Sequence, residues 1–180
     1  MRAGRRPRLS RVATIAATLS LAVAGLGCRT AAVRPAPFVL PEAVEPSLIP
    51  NYTRLRSDLA AAGQPTEAGL QQLREMGFRV VIDLRAPSEG TAAEEAAVKA
   101  AGLRYVSVPV TPETFRREDV EAVARVLDER GRGPVLLHCA SSNRVGAVWA
   151  VLQSTKGRTY EEAEAEGRKA GLRSAGMIAA

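Results

Sequence analysis

Val135-Leu136-Leu137-His138-Cys139-Ala140-Ser141-Ser142-Asn143-Arg144-Val145-Gly146 is the stretch on which the fold turns. An apolar run ends at His138, small polar residues follow, and a second apolar run extends from Val145 to Leu152. That order reads as a buried strand, a tight loop and a helix, with Cys139 at the mouth of the turn. Backbone N–H groups of such a loop, together with the N-terminus of the next helix, converge on an anion. The same field favours the thiolate of Cys139, and Arg144 adds a planar fork suited to phosphate. The plainer alternative is a cysteine that fills space after a strand. Against it stands the company the residue keeps: His138 is the only histidine of the chain and Cys139 one of two cysteines. At a strand end, His138 is expected to orient the loop by a hydrogen bond rather than to act as a base.

Outward from this turn the pattern alternates. Arg79-Val80-Val81-Ile82-Asp83-Leu84 is a β-branched run and reads as a buried strand; Tyr105-Val106-Ser107-Val108 reads as another. Between them, Thr91 with Glu94 predicts a capping box for a helix reaching Ala101 and stopped by Gly102. Upstream, Thr66 caps a helix carrying Leu70 and Leu73 that ends at Gly77. Val120, Val123, Ala124 and Leu127 recur at helical spacing. Thr159 with Glu162 predicts a last capping box. Strands alternating with helices predict an α/β domain whose central, mainly parallel sheet is flanked by helices. In such sheets ligands sit beyond the carboxyl ends of the strands, which is where Cys139 falls.

The ends of the chain carry other information. Arg2, Arg5, Arg6, Arg8 and Arg11 precede an apolar stretch from Val12 to Leu26, too short for a comfortable membrane span and right for a signal segment. Ala24-Gly25-Leu26-Gly27-Cys28 resembles a bacterial lipoprotein signal, with residues 1–27 removed and Cys28 lipidated. An ordinary secretory signal or an uncleaved anchor are the alternatives. The expected location is therefore the cell envelope, with a membrane anchor at Cys28. Residues 28–50 hold Pro35, Pro37, Pro41, Pro46 and Pro50 and read as an extended linker, with the folded domain spanning 51–180. The formal charge of +6 is mostly a property of the leader. Without its five arginines the chain carries 20 basic against 19 acidic residues, which argues against a nucleic-acid partner. If Cys28 is lipidated, Cys139 has no cysteine to pair with; a Cys28–Cys139 bridge is the alternative in an oxidising compartment. No Cys/His cluster suggests zinc, no metal or organic cofactor is implied, and a monomer is expected.

Gly63-Gln64-Pro65-Thr66, Val80 to Arg85, Val108-Pro109-Val110 and His138-Cys139 to Arg144 follow one another in an order that resembles the bacterial beta-lactamase-hydrolase-like phosphatases. These are a branch of the cysteine-dependent protein tyrosine and dual-specificity phosphatases. The resemblance covers roughly Asn51 to Leu172 and implies a three-layer, phosphatase-like fold. It implies hydrolysis of phosphate monoesters through a phosphocysteine, on a phosphorylated protein or a small phosphate ester. Cys139 would be the nucleophile. Arg144 and the loop N–H groups of Ala140, Ser141, Ser142 and Asn143 would hold the equatorial oxygens. Asp83 and Arg85 would support loop or substrate, or form a plain strand-end ion pair. The general acid is expected in the segment Thr111 to Asp119, with Glu113 first and Asp119, which also suits a helix dipole, second. Four residues separate Cys139 from Arg144, where the wider superfamily has five, and Ser142 occupies the place of a glycine that supplies a special backbone conformation. Two other readings use the same residues: a rhodanese-type sulfurtransferase carrying a persulfide on Cys139, and a non-catalytic domain that binds an anion or a partner.

Overall fold

The computed structural model describes residues 38–174. The signal segment, Cys28 and the first part of the Pro-rich stretch lie outside the described residues.

Five strands form one sheet: β1 (Thr53–Arg56), β2 (Leu59–Ala62), β3 (Val80–Asp83), β4 (Arg104–Ser107) and β5 (Val135–His138), in the order β1-β2-β5-β3-β4. Only the β1–β2 pair is antiparallel; β2–β5, β5–β3 and β3–β4 run parallel. Five α-helices complete the alternation: α1 (Glu67–Glu75), α2 (Thr91–Ala100), α3 (Arg117–Asp128), α4 (Asn143–Thr155) and α5 (Tyr160–Lys169). The expected α/β architecture with a mainly parallel sheet is the one observed.

The layering follows from the two-residue period of the strands. Leu59, Ala61, Val80, Ile82, Val135 and Leu137 face a core that includes Val120 and Val123 of α3, Val148 and Trp149 of α4 and Leu172 after α5. Their neighbours Ala60, Ala62, Val81 and Leu136 face the opposite core, with Leu70 and Leu73 of α1 and Val98 of α2. Burial on both faces explains why β3 and β5 read as continuous apolar runs. It also accounts for β2: Leu59-Ala60-Ala61-Ala62 is fully buried, and alanine is a strong helix former, yet the run is a strand because its slot lies between β1 and β5.

The stretch expected to be linker up to residue 50 is only partly so. Leu40 and Ile49 are buried in the α1/α2 core. The Leu40 N–H donates to Ser57 O at 2.9 Å, and Leu48 O accepts from Thr66 N at 2.9 Å. The prolines punctuate this segment without freeing it, because the apolar residues among them are captured by the sheet's first hairpin and by α1.

Two of the predicted caps are present. Thr66 Oγ1 accepts from Gly69 N at 3.0 Å, and Thr159 and Glu162 exchange hydrogen bonds at the start of α5. The Thr91/Glu94 box is not: the N-cap of α2 is Gly90, with φ 80°, and Glu94 turns inward.

Helices α4 and α5 touch backbone to backbone. A Cβ on Gly146 would overlap the Leu172 nitrogen and stand 2.6 Å from Gly167 O. Gly146→Ala is therefore expected to destabilise the fold by about 2–3 kcal/mol, read as a lowered urea midpoint with an unchanged slope.

Candidate active site

The C-terminal ends of β2, β3 and β5 deliver three loops to one edge of the sheet. Gln64 N donates to Ala140 O at 3.2 Å, Gly63 forms an isolated bridge with Ser141, and Leu84 N donates to His138 O at 2.9 Å. The loop after β5 is thus braced from both sides. Cys139 within it is a free thiol, 1% exposed.

Ser142 closes the loop and is the N-cap of α4, with φ 70° and ψ −2°. The left-handed conformation expected at the glycine-like position is present, on a residue whose Cβ opposes it. What holds it is the buried hydroxyl, which donates to Ala170 O at 2.7 Å. Packing from Gly171 helps: at φ 108°, a Cβ there would lie 2.6 Å from Ser142 Cβ. With its hydroxyl engaged on α5, Ser142 makes no side-chain cap on α4. The N-terminus of a helix carries the partial positive charge that favours an anion.

Arg144 starts inside this first turn and reaches back across the site. Its Nη1 and Nη2 donate to Glu89 Oε2 and Oε1 at 2.6 and 2.7 Å, and Nη1 also donates to Val110 O at 3.2 Å. The Glu89 pair, with Cys139 as a further favourable neighbour, secures the cationic form of Arg144. In return the Arg144 hydrogen bonds hold the Glu89 carboxyl below the usual carboxylate range. Glu89 lies in the short 3-10 turn Pro87–Glu89. No spacing in Pro87-Ser88-Glu89-Gly90 announces it; its partner is 55 residues away.

Behind the loop lies a buried ionic cluster. Arg85 donates to Asp83 through Nε at 3.0 and 3.2 Å and through Nη2 at 2.8 Å, and the same Nη2 reaches Glu94 Oε2 at 2.6 Å. Tyr105 Oη donates to Asp83 Oδ2 at 2.9 Å. Burial is the largest influence on Asp83 and opposes its charge. The Arg85 hydrogen bonds, the nearby His138 and the Arg85 charge together outweigh it and hold the carboxyl below its ordinary value. Asp83 and Arg85 thus form a buried ion pair. His138 joins the same cluster: its Nε2 is 2.9 Å from Glu94 Oε1 and 3.8 Å from Asp83 Oδ1. The expected imidazole hydrogen bond to the loop is absent, and neither ring nitrogen makes an aligned hydrogen bond to a described residue. The ring instead faces the carboxylates of β3 and α2. Asp83, Glu94 and His138 have the donor chemistry of a metal site, but the Arg85 guanidinium engages both Asp83 oxygens and Glu94 Oε2 and repels a cation there.

The two expected acids lie on the segment that leads from Val110, a hydrogen-bond partner of Arg144, into α3. Glu113 is exposed in the turn before α3, and a hydrogen bond from Thr111 lowers its carboxyl from the ordinary value. Asp119 Oδ2 accepts from Arg116 N at 3.0 Å and serves the N-terminus of α3. Neither has a hydrogen bond or ion pair to Cys139 or Arg144 among the described residues. The structure therefore gathers Cys139, Ser142 and Arg144 at the loop and places Asp83, Arg85 and His138 behind it, while Glu113 and Asp119 follow Val110, whose carbonyl accepts from Arg144.

Known proteins resemble this chain in sequence and in fold. The family described as DSP-PTPase phosphatase fused to NAD+ kinase matches residues 48–178. A beta-lactamase hydrolase-like protein of Xylella fastidiosa is 34% identical over 120 residues, which is 63% of this chain and 28% of that protein. The match thus spans less than a third of that relative's length. A DUF442 protein of Shewanella putrefaciens CN-32 superposes with a TM-score of 0.57 at 27% identity, covering 67% of this chain and 79% of that one. TpbA of P. aeruginosa, in a complex with pTyr, superposes with a TM-score of 0.57 at 23% identity, covering 81% of this chain and 97% of that one; this likeness is one of fold.

Proposed function

Because the chain belongs to that DSP-PTPase phosphatase family, we propose that its described domain hydrolyses phosphate monoesters through a phosphocysteine on Cys139. One observation carries this reading: the Cys139 thiol sits between the end of β5 and the N-terminus of α4, with Arg144 beside it. In the first step the thiolate attacks phosphorus, the S–P bond forms and the P–O ester bond breaks. Loop N–H groups and Arg144 hold the equatorial oxygens as the ester departs. In the second step water attacks phosphorus, the S–P bond breaks, and inorganic phosphate leaves with the thiolate restored. Glu89 positions Arg144 and, being ionised, is no proton donor.

With Glu113 exposed and Asp119 capping α3, we propose that the leaving oxygen departs with little help from a carboxylic acid. General acid catalysis contributes about 10²–10⁴-fold, and its loss falls hardest on poor leaving groups. We therefore propose aryl esters such as phosphotyrosine as the favoured class, in keeping with the pTyr bound by TpbA. The cell envelope as its location, and a lipid anchor at Cys28, remain part of the proposal on the strength of the leader sequence.

The test is phosphate release from p-nitrophenyl phosphate and from glycerol 2-phosphate, beside Cys139→Ser, with thiosulfate:cyanide sulfur transfer in parallel. Turnover of the aryl ester at least about 10²-fold above the alkyl ester, abolished in the variant, is expected. Equal rates on both esters would contradict the missing acid. Thiocyanate without phosphate would make the protein a sulfurtransferase, and silence in all assays would leave a binding domain.

A further inference from the structure

Cys139 follows the C-terminal end of β5, and the opposite edge of the sheet has a character of its own. The chain enters the described domain there. Leu40 N donates to Ser57 O in the turn between β1 and β2. The Phe38 ring lies against Gly77, where a Cβ would stand 2.7 Å from its Cε2. Phe38 and Val39 are each 50% exposed, and only Tyr160 among the other large apolar side chains described is as open to solvent. Nine residues, 29–37, join Cys28 to Phe38, so a lipid on Cys28 would keep Phe38 within about 35 Å of a bilayer. Such a tether delivers this edge, not the Cys139 loop, to the membrane.

Arginines surround the two apolar residues. Arg74 lies in the last turn of α1, Arg79 precedes β3, and Arg130 stands between α3 and β5. The loops at this edge meet: Arg79 covers Gly133, where a Cβ would stand 2.6 Å from its Cγ, and Arg74 Nε is 3.5 Å from the Cβ position of Gly102, just before β4. All three arginines are exposed and form no ion pair among the described residues. Asp58 is shared by Arg56 and Arg132, and Glu129 pairs with Arg104. Glu75 and Asp128 are the unpaired carboxylates here, so the edge is net basic. Exposed apolar side chains among unspent cations suit a bilayer surface: the first enter the headgroup layer and the second meet lipid phosphates.

Resting on the lipid anchor proposed at Cys28, we propose that this edge docks on anionic lipid through Phe38, Val39, Arg74, Arg79 and Arg130, with the Cys139 loop turned to the aqueous side. The four residues of β5, about 13 Å of strand, separate the docking edge from Cys139. The phosphate esters reaching the loop are then those of soluble molecules and proteins, not headgroups of the lipid beneath the domain.

The experiment places a tryptophan at either end of the full chain: Phe38→Trp at the basic edge, and Ala68→Trp in the first turn of α1, at the edge that carries Cys139. The native Trp149 is buried, and the unsubstituted chain supplies its background. Each chain is added to vesicles of phosphatidylcholine and brominated phosphatidylglycerol, and quenching of tryptophan emission is read. Quenching at position 38 is expected to exceed that at position 68 at least about threefold. It should fall at least about threefold in Arg74→Glu/Arg79→Glu/Arg130→Glu and, without any such change, in about 0.5 M salt. The triple variant should keep the wild-type circular dichroism and turnover of p-nitrophenyl phosphate. Equal quenching at both positions, or quenching at position 38 that ignores both salt and reversed charge, would overturn the docking. A chain that floats with the vesicles while position 38 stays unquenched would also overturn it and leave the face to a protein partner. A chain that does not float with them would remove the anchor, and the inference with it.

Discussion

Glu94→Ala is expected to cost the fold about 3–5 kcal/mol, because it breaks a buried ionic cluster by removing one partner. Glu94 lies on α2 with 6% exposure. Its Oε2 accepts from Arg85 Nη2 at 2.6 Å, and its Oε1 stands 2.9 Å from His138 Nε2. Alanine would leave the guanidinium and the imidazole facing a void in low dielectric. Glu94→Gln, which keeps the shape and a carbonyl oxygen, should cost less. The sequence pattern makes the opposite forecast: as the far end of a capping box, an exposed Glu94 would be worth well under about 1 kcal/mol. A urea titration separates the two. The same cluster sets an acid limit. Asp83 has its carboxyl held below the ordinary value in the folded state. Its contribution is therefore complete above the unfolded value of about 3.9 and is lost as pH falls through the lower folded value. Unfolding on acidification should accordingly set in below about pH 4.

Arg144→Lys is expected to lower kcat/KM for p-nitrophenyl phosphate by about 10²–10³-fold, with the fold retained. The arginine makes two parallel hydrogen bonds to Glu89 while also donating to Val110 O. A lysine supplies one charge without the fork. It cannot grip Glu89 at two points and face phosphate in a fixed plane at the same time. On the proposed mechanism the lost contacts matter most when charge builds on the equatorial oxygens, so kcat should fall with kcat/KM. Glu89→Gln, which keeps a hydrogen bond but loosens the pair, should fall in the same direction by a smaller factor. A Lys variant within threefold of wild type would remove Arg144 from the reaction.

Much of this arrangement was legible in the residues because it rests on local chemistry. β3 and β5 follow from apolar runs, the caps at Thr66 and Thr159 from hydroxyl and carboxylate spacing, and the special backbone at Ser142 from its place in the loop. What escaped was set by partners distant in sequence. The alanines of β2 have no strand preference of their own and are strand because two neighbours offer hydrogen bonds and a tight slot. Glu94 had the spacing of a cap, but Arg85 and His138 bind it more strongly than the α2 backbone does, and Gly90 takes over the cap. Glu89 reaches Arg144 from 55 residues away, and nothing in its immediate neighbours foretells it. Leu40 and Ile49 were masked by prolines that shape the segment without releasing it.

The central claim is that phosphate passes through sulfur on Cys139. The most direct measurement is to quench the full chain in acid within milliseconds of mixing with p-nitrophenyl phosphate and locate the phosphate by mass spectrometry of the digested protein. The account predicts a phosphate on the peptide containing Cys139, formed with a burst of p-nitrophenol and absent in Cys139→Ser. Steady turnover with no phosphate on that peptide, or turnover that survives Cys139→Ser, would contradict it.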